Sequence, residues 1–151
     1  MAETGQNAGD YSVNYDASRW NACKKRITYV AGTTGATGAK TIFTVTGVVR
    51  VKLIAVTKTT IASGGTPGMI VGTAITTNGL LPTLNPTTIA VNEIWHDGTA
   101  DASIELDSVM TTKIVTSDII ETIATATLTS GVLEYILLWQ PLSSDGTVIA
   151  A

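Results

Sequence analysis

One histidine and one cysteine stand in 151 residues, and only 14% of the chain is charged. Groups that shuttle protons, attack carbonyls or hold metals come mostly from His, Cys, Lys and clustered carboxylates. Such groups are few and scattered here, which argues against an enzyme and against a bound cofactor. Cys23 is alone, so no intramolecular disulfide forms. A catalytic thiol would need a base, His96 is the one imidazole available, and no sequence feature places the two together. Aromatic residues make up only 5%. A core of small and β-branched side chains buries modest area per residue, which points to further burial against neighbouring subunits.

Two more absences concern membranes and export. No run approaches the roughly 18 apolar residues of a membrane-spanning helix. Residues 1–16 have neither a basic n-region nor an apolar h-region, so no signal peptide is expected and the chain is read as made in a cytoplasm. What is abundant is Thr, Val, Ile, Ala and Gly, the composition of a pleated, half-buried β-surface. A hydrophobic share of 44% with mean hydropathy +0.30 argues against disorder. The length fits a single domain.

The net charge is −3. The basic residues Lys24, Lys25, Arg26, Lys40, Arg50, Lys52 and Lys58 form no evident stripe along the sequence, so direct nucleic-acid binding is not expected. The run Lys24–Arg26 reads as a solvated cluster or as an anchor for an acidic surface.

Residues 1–22 (MAETGQNAGDYSVNYDASRWNA) differ from the rest. They are polar and dotted with Tyr11, Val13, Tyr15 and Trp20, a spacing that suits an extended N-terminal arm better than a helix. Two readings stay open: an unanchored terminus, or a tether whose aromatics anchor it to a neighbouring surface. Residues 23–151 then form one β-sandwich domain. The stretch Ala31–Ala39 (AGTTGATGA) carries Gly32, Gly35 and Gly38 but no Gly-Lys-Ser/Thr, and a strand pattern follows it instead of a helix. It reads as a loop and not as a phosphate cradle.

Downstream, strands dominate. Lys40–Thr46 is strand-like, and Val49, Val51, Leu53 and Ala55 alternate with Arg50, Lys52, Ile54 and Val56. Ile61–Gly68 reads as a turn or exposed loop, Met69–Thr76 as a strand, Asn78-Gly79 as a tight turn and Leu80–Pro86 as irregular or an edge. Ser103–Asp107 alternates, with Ile104 and Leu106 expected inward. Ile119–Leu128 favours a strand, and the Thr129-Ser130-Gly131 turn would pair it as a hairpin with Val132–Trp139. In that last segment Leu133, Tyr135, Leu137 and Trp139 share one face. About eight short strands broken by Gly, Pro and Asn predict an all-β sandwich or jelly roll.

The densest polar segment is Glu93–Asp107 (EIWHDGTADASIELD), with Glu93, His96, Asp97, Asp101, Glu105 and Asp107. Its spacing matches neither an EF-hand nor a zinc motif, so no metal site is assigned. A glycosidase would use two of these carboxylates but also needs an aromatic-lined cleft, for which few aromatics exist. Trp95 and Trp139 suit interface anchors, core positions or sugar-stacking platforms, and the interface reading is preferred. Tyr11, Tyr15, Trp20, Trp95 and Trp139 are therefore the candidate interface residues.

The run Leu137–Val148 (LLWQPLSSDGTV) resembles the C-terminal strand of small structural proteins encoded in tailed-phage virion gene clusters. Glu93–Ser108, with its EIWHD string, and Lys40–Lys58 (KTIFTVTGVVRVKLIAVTK) resemble the same family. The resemblance implies a bacteriophage virion protein, foremost a capsid decoration or cement protein. Such a protein is expected to be a homotrimer of β-sandwich or jelly-roll subunits on the outer capsid surface, bound to itself and to the major capsid protein. It implies no catalytic residues. A tail-tube, adaptor or fibre-knob protein, or a carbohydrate- or receptor-binding module, are the alternatives.

Overall fold

The computed structural model describes residues 19–97 and 100–151. Eleven strands follow in order: β1 Asn21–Thr28, β2 Gly38–Thr46, β3 Val49–Ser63, β4 Gly68–Gly72, β5 Leu81–Leu84, β6 Ile94–Trp95, β7 Ala100–Asp101, β8 Lys113–Val115, β9 Ile119–Ala124, β10 Leu128–Pro141 and β11 Thr147–Ala150. Short 3₁₀ turns occupy Pro86–Thr88 and Asp107–Val109. The all-β expectation holds, although two strands are long, with 15 residues in β3 and 14 in β10. The first of these runs through Ile61–Ser63, where a loop had been expected, because Ile61 still faces the core.

All strand pairs are antiparallel. One sheet, here the front sheet, has the order β1-β10-β3-β6-β7, with β8 also paired to β3. The back sheet has the order β11-β2-β9-β4-β5. The ladder of β3 with β10 is the spine of the front sheet, running from Val49↔Pro141 to Ser63↔Leu128. Alternation explains its two faces. Val49, Val51, Leu53 and Ala55 pair in turn with Pro141, Trp139, Leu137 and Tyr135 on the inward side, while the intervening residues turn away from the back sheet. Phe43, Met69, Val71, Ile119 and Ile123 come from the back sheet to meet them.

The expected hairpin between Ile119–Leu128 and Val132–Trp139 does not form. β9 pairs with β2 and β4 in the back sheet, whereas β10 pairs with β1 and β3 in the front sheet. Thr129-Ser130-Gly131 is part of β10, and the chain turns earlier, at Thr125, whose φ is 67°. The Gly that signalled a turn serves a ladder irregularity instead. Gly131 has φ +115°, and a β-carbon there would lie 2.6 Å from the Ile61 Cα. Glycine is common where a bulge brings two backbones this close.

The two sheets are stitched at a corner. Gly47-Val48 carries the chain from β2 to β3, and Leu142–Gly146 carries it from β10 to β11, so both segments cross between sheets. The Val48 N–H donates to Ser143 Oγ at 2.8 Å, and the Val48 carbonyl accepts from the Leu142 N–H at 2.8 Å. Gly47, with φ +66°, lies so close beneath that a β-carbon would come within 2.3 Å of Asp145 Oδ1. The Pro-Leu-Ser-Ser-Asp-Gly string is thus a structural corner.

Candidate functional site

The residue types able to carry chemistry fall into three places. The first lies between the sheets. Glu121 sits at an inward position of β9, between Ile119 and Ile123 in the alternation, and is fully buried. Its Oε2 accepts from the hydroxyl of Tyr29 at 2.6 Å and from that of Tyr135 at 2.7 Å. Tyr29 follows β1 and Tyr135 belongs to β10, so the cluster ties the two sheets together. Burial pushes the Glu121 carboxyl up, against the two hydrogen bonds and the attraction of Lys40. Burial and the neighbouring Glu121 carboxylate push both tyrosines well above their ordinary range. Sealed from solvent, the three groups form a polar clamp between the sheets. Sequence reading passed over Glu121; its parity with Ile119 and Ile123 was the available signal.

The second place is the polar segment around His96. Asp97 Oδ1 accepts from Lys113 Nζ at 2.7 Å, and Asp97 Oδ2 accepts from the Thr111 hydroxyl at 2.7 Å. Burial raises the Asp97 pKa, but the hydrogen bonds from Lys113 and Thr111 outweigh it, and the net shift is downward. Lys113 also donates to the Gly79 carbonyl at 2.6 Å. His96 Nε2 lies 3.9 Å from Glu105 Oε1. Glu93 Oε2 accepts from the Ala90 N–H at 2.7 Å. These contacts pin the segment before β8 and the loop before β5 against each other. Among the described residues no group of three or more His, Cys, Asp or Glu is arranged as a ligand set for a metal ion. A cleft of about 340 Å³ lies beside this network, rimmed by Ile75 and Ile114 and floored by Gly72, Gly79, Leu80 and Val115.

The third place is the outward side of the front sheet. Register sets Ala22, Lys24 and Arg26 of β1 beside Leu138, Ile136 and Glu134 of β10, which stand beside Lys52, Ile54 and Val56 of β3. Arg50 and Lys58 flank this patch on β3. The basic residues looked scattered along the sequence; folding gathers five of them on one face, which corrects the expectation that no basic stripe exists. Glu134 lies 3.5 Å from Lys58, and Arg50 donates to Gln140 Oε1 at 3.2 Å.

The interface candidates divide accordingly. Tyr11 and Tyr15 lie outside the described residues. Trp20 is exposed, and the Lys52 ammonium stands 5.3 Å from its ring centroid, a cation–π contact on the outward face. Trp95 and Trp139 are core residues, 0% and 1% exposed. They are not surface anchors in this chain, because their strand parity places them with Ala55 and Val51 on the inward side. Ile104 and Leu106, expected inward, are 87% and 74% exposed, and no strand forms there. The arm expected over 1–22 ends earlier, since Asn21 and Ala22 are already strand. Cys23 is half-buried, and burial pushes its thiol up, away from a reactive thiolate.

Searches of protein-family models, curated proteins and solved structures return no match to this chain.

Proposed function

We propose that the chain is a structural subunit of a tailed-phage virion, foremost a capsid decoration protein that assembles as a trimer and binds the outer shell without catalysis. The observation that carries this reading is the display of large aliphatic side chains on pinned loops and on the short strand β8. Ile75, Ile104, Leu106 and Ile114 are 95%, 87%, 74% and 65% exposed. Their segments are joined by the Asp97–Lys113 ion pair, by Lys113 to Gly79 and by the approach of His96 Nε2 to within 3.9 Å of Glu105 Oε1. Apolar side chains held out on a fixed frame suit burial against another subunit. Multivalent attachment to a repeating shell then multiplies weak individual contacts.

Glu121, Tyr29 and Tyr135 are tied up in the clamp, and Asp97 and Lys113 in the loop network, which agrees with a binding role. Trp95 and Trp139 are buried, so neither offers a stacking platform for a carbohydrate. The test is the mass of the purified protein by light scattering coupled to gel filtration, followed by co-sedimentation with phage heads lacking decoration. A trimer that pellets with heads is the expected result. A ring of six or an open polymer moves the role to the tail, and a monomer that ignores heads overturns the virion reading.

A further inference from the structure

We propose that the outward face of the front sheet is the docking surface for the acidic, aromatic N-terminal segment of the same chain, residues 1–18. The face is built as a complement to that segment. Its centre is apolar, with Val132, Ile136, Leu138, Ile54 and Val56 half-buried in register. Its border is basic, with Lys24, Arg26, Arg50, Lys52 and Lys58 against the single carboxylate of Glu134 on these three strands. Residues 1–18 carry Glu3, Asp10 and Asp16 and no Lys or Arg. Within them Tyr11, Val13 and Tyr15 recur at every second position, so an extended stretch offers one apolar edge between Asp10 and Asp16.

Where the described chain begins supplies the direction. Trp20, just before β1, makes its cation–π contact with Lys52 of β3. Lys52 is in register with Leu138, and Leu138 with Ala22, so the Trp20 and Lys52 side chains meet on the outward face over β10. The residue next to the segment thus already lies on the outward face. Reach is ample: crossing from β1 to β3 takes roughly 10 Å, and the 18 residues extend to roughly 60 Å. Opposite charge at the rim and apolar contact at the centre favour this occupant over a nucleic acid, which would need basic residues without the aliphatic centre. The inference stands apart from the virion reading, since it concerns one chain and not its assembly.

Limited proteolysis with chymotrypsin, which cuts after Tyr11 and Tyr15, tests it on the full chain. Docking makes these sites slow to cut, and the charge-reversed double variant Lys24→Glu/Lys52→Glu should be cut at least about tenfold faster, because cleavage follows the undocked population. Molar salt should speed cleavage of the unmodified chain in the same direction, a readout independent of any variant. Protection that does not change with protein concentration supports the chain's own segment as occupant. Protection that grows with concentration assigns the face to a second copy and overturns the proposal. Equal cleavage of wild type and variant, at low and high salt alike, also overturns it. So does equal binding of a labelled single-stranded DNA oligomer by the full chain and by a chain lacking residues 1–18, because the face would then be open.

Discussion

The Tyr135 hydroxyl donates to Glu121 at 2.7 Å across the two sheets, joining the long spine strand of the front sheet to the middle strand of the back sheet. Tyr29 makes a matching bond at 2.6 Å to the same oxygen. A hydrogen bond to a charged group contributes about 1.5–3 kcal/mol, and losing one from a buried acceptor forfeits that support. Tyr29→Phe and Tyr135→Phe should each lower stability by roughly 1.5–3 kcal/mol. The double variant should lose more than the sum, because each single variant leaves Oε2 one donor and only the double leaves the buried acceptor with neither. Urea denaturation of the four proteins reads this directly, and strict additivity would show that the two bonds act independently.

The same carboxylate imposes a pH dependence whose sign follows from burial. The folded chain holds the Glu121 proton to higher pH than the unfolded chain, which loses it in the ordinary glutamate range of about 4.3. Below that range the stabilisation is fully present. As pH rises from there through the raised folded pKa, stability falls by up to about 1.4 kcal/mol per pH unit, and above the folded pKa the loss is constant. Glu121→Gln should remove this slope. The difference in denaturation midpoint between the two proteins, measured from about pH 4 to pH 8, should therefore change with pH. Parallel profiles would contradict a raised Glu121 pKa. Asp97 works with the opposite sign, since its lowered pKa stabilises above the ordinary aspartate range and is lost on acidification; it stays in both proteins and cancels.

Two glycines with positive φ separate conformational strain from steric collision. Gly32 has φ +77° and nothing within 4 Å of a β-carbon, whereas a β-carbon on Gly131 would meet Ile61 Cα at 2.6 Å. Gly32→Ala should cost only the left-handed strain, about 1–2 kcal/mol. Gly131→Ala adds displacement of the β3–β10 ladder and should cost roughly 3 kcal/mol or more. Thermal melts of the two variants test the contrast, and equal losses would mean that the ladder yields freely at Gly131.

Much of this architecture was legible as alternation. The inward set Leu133, Tyr135, Leu137 and Trp139 and the start of β3 follow from period two alone, because one face of each strand must meet the core. Strand partners were not legible, since pairing is a long-range choice. Thr129-Ser130-Gly131 carries the chemistry of a turn, and only the approach of Ile61 reveals that the glycine serves the ladder. The basic face was hidden for the same reason: Lys24 and Lys52 are neighbours through Ile136 and Leu138, which lie more than eighty residues further along the chain. The tryptophans misled because a large amphipathic ring suits both core and interface, and only strand parity in the folded sheet separates the two.

Ile104 and Leu106 give the sharpest test of the exposed loop. Were they inward, replacing both with serine would open a cavity and cost several kcal/mol, as large-to-small core changes do. At 87% and 74% exposure they have little burial to lose in the isolated subunit. Ile104→Ser/Leu106→Ser should therefore melt within about 0.5 kcal/mol of the parent when both are monomeric, as surface changes do. If these side chains are buried between subunits, the same variant should shift the mass measured by light scattering toward the monomer at concentrations where the parent is assembled. Glu105, between them, stays in place, so its 3.9 Å contact with His96 is kept. Unchanged stability together with unchanged assembly would place the subunit contact elsewhere and remove the observation on which the proposed assembly rests.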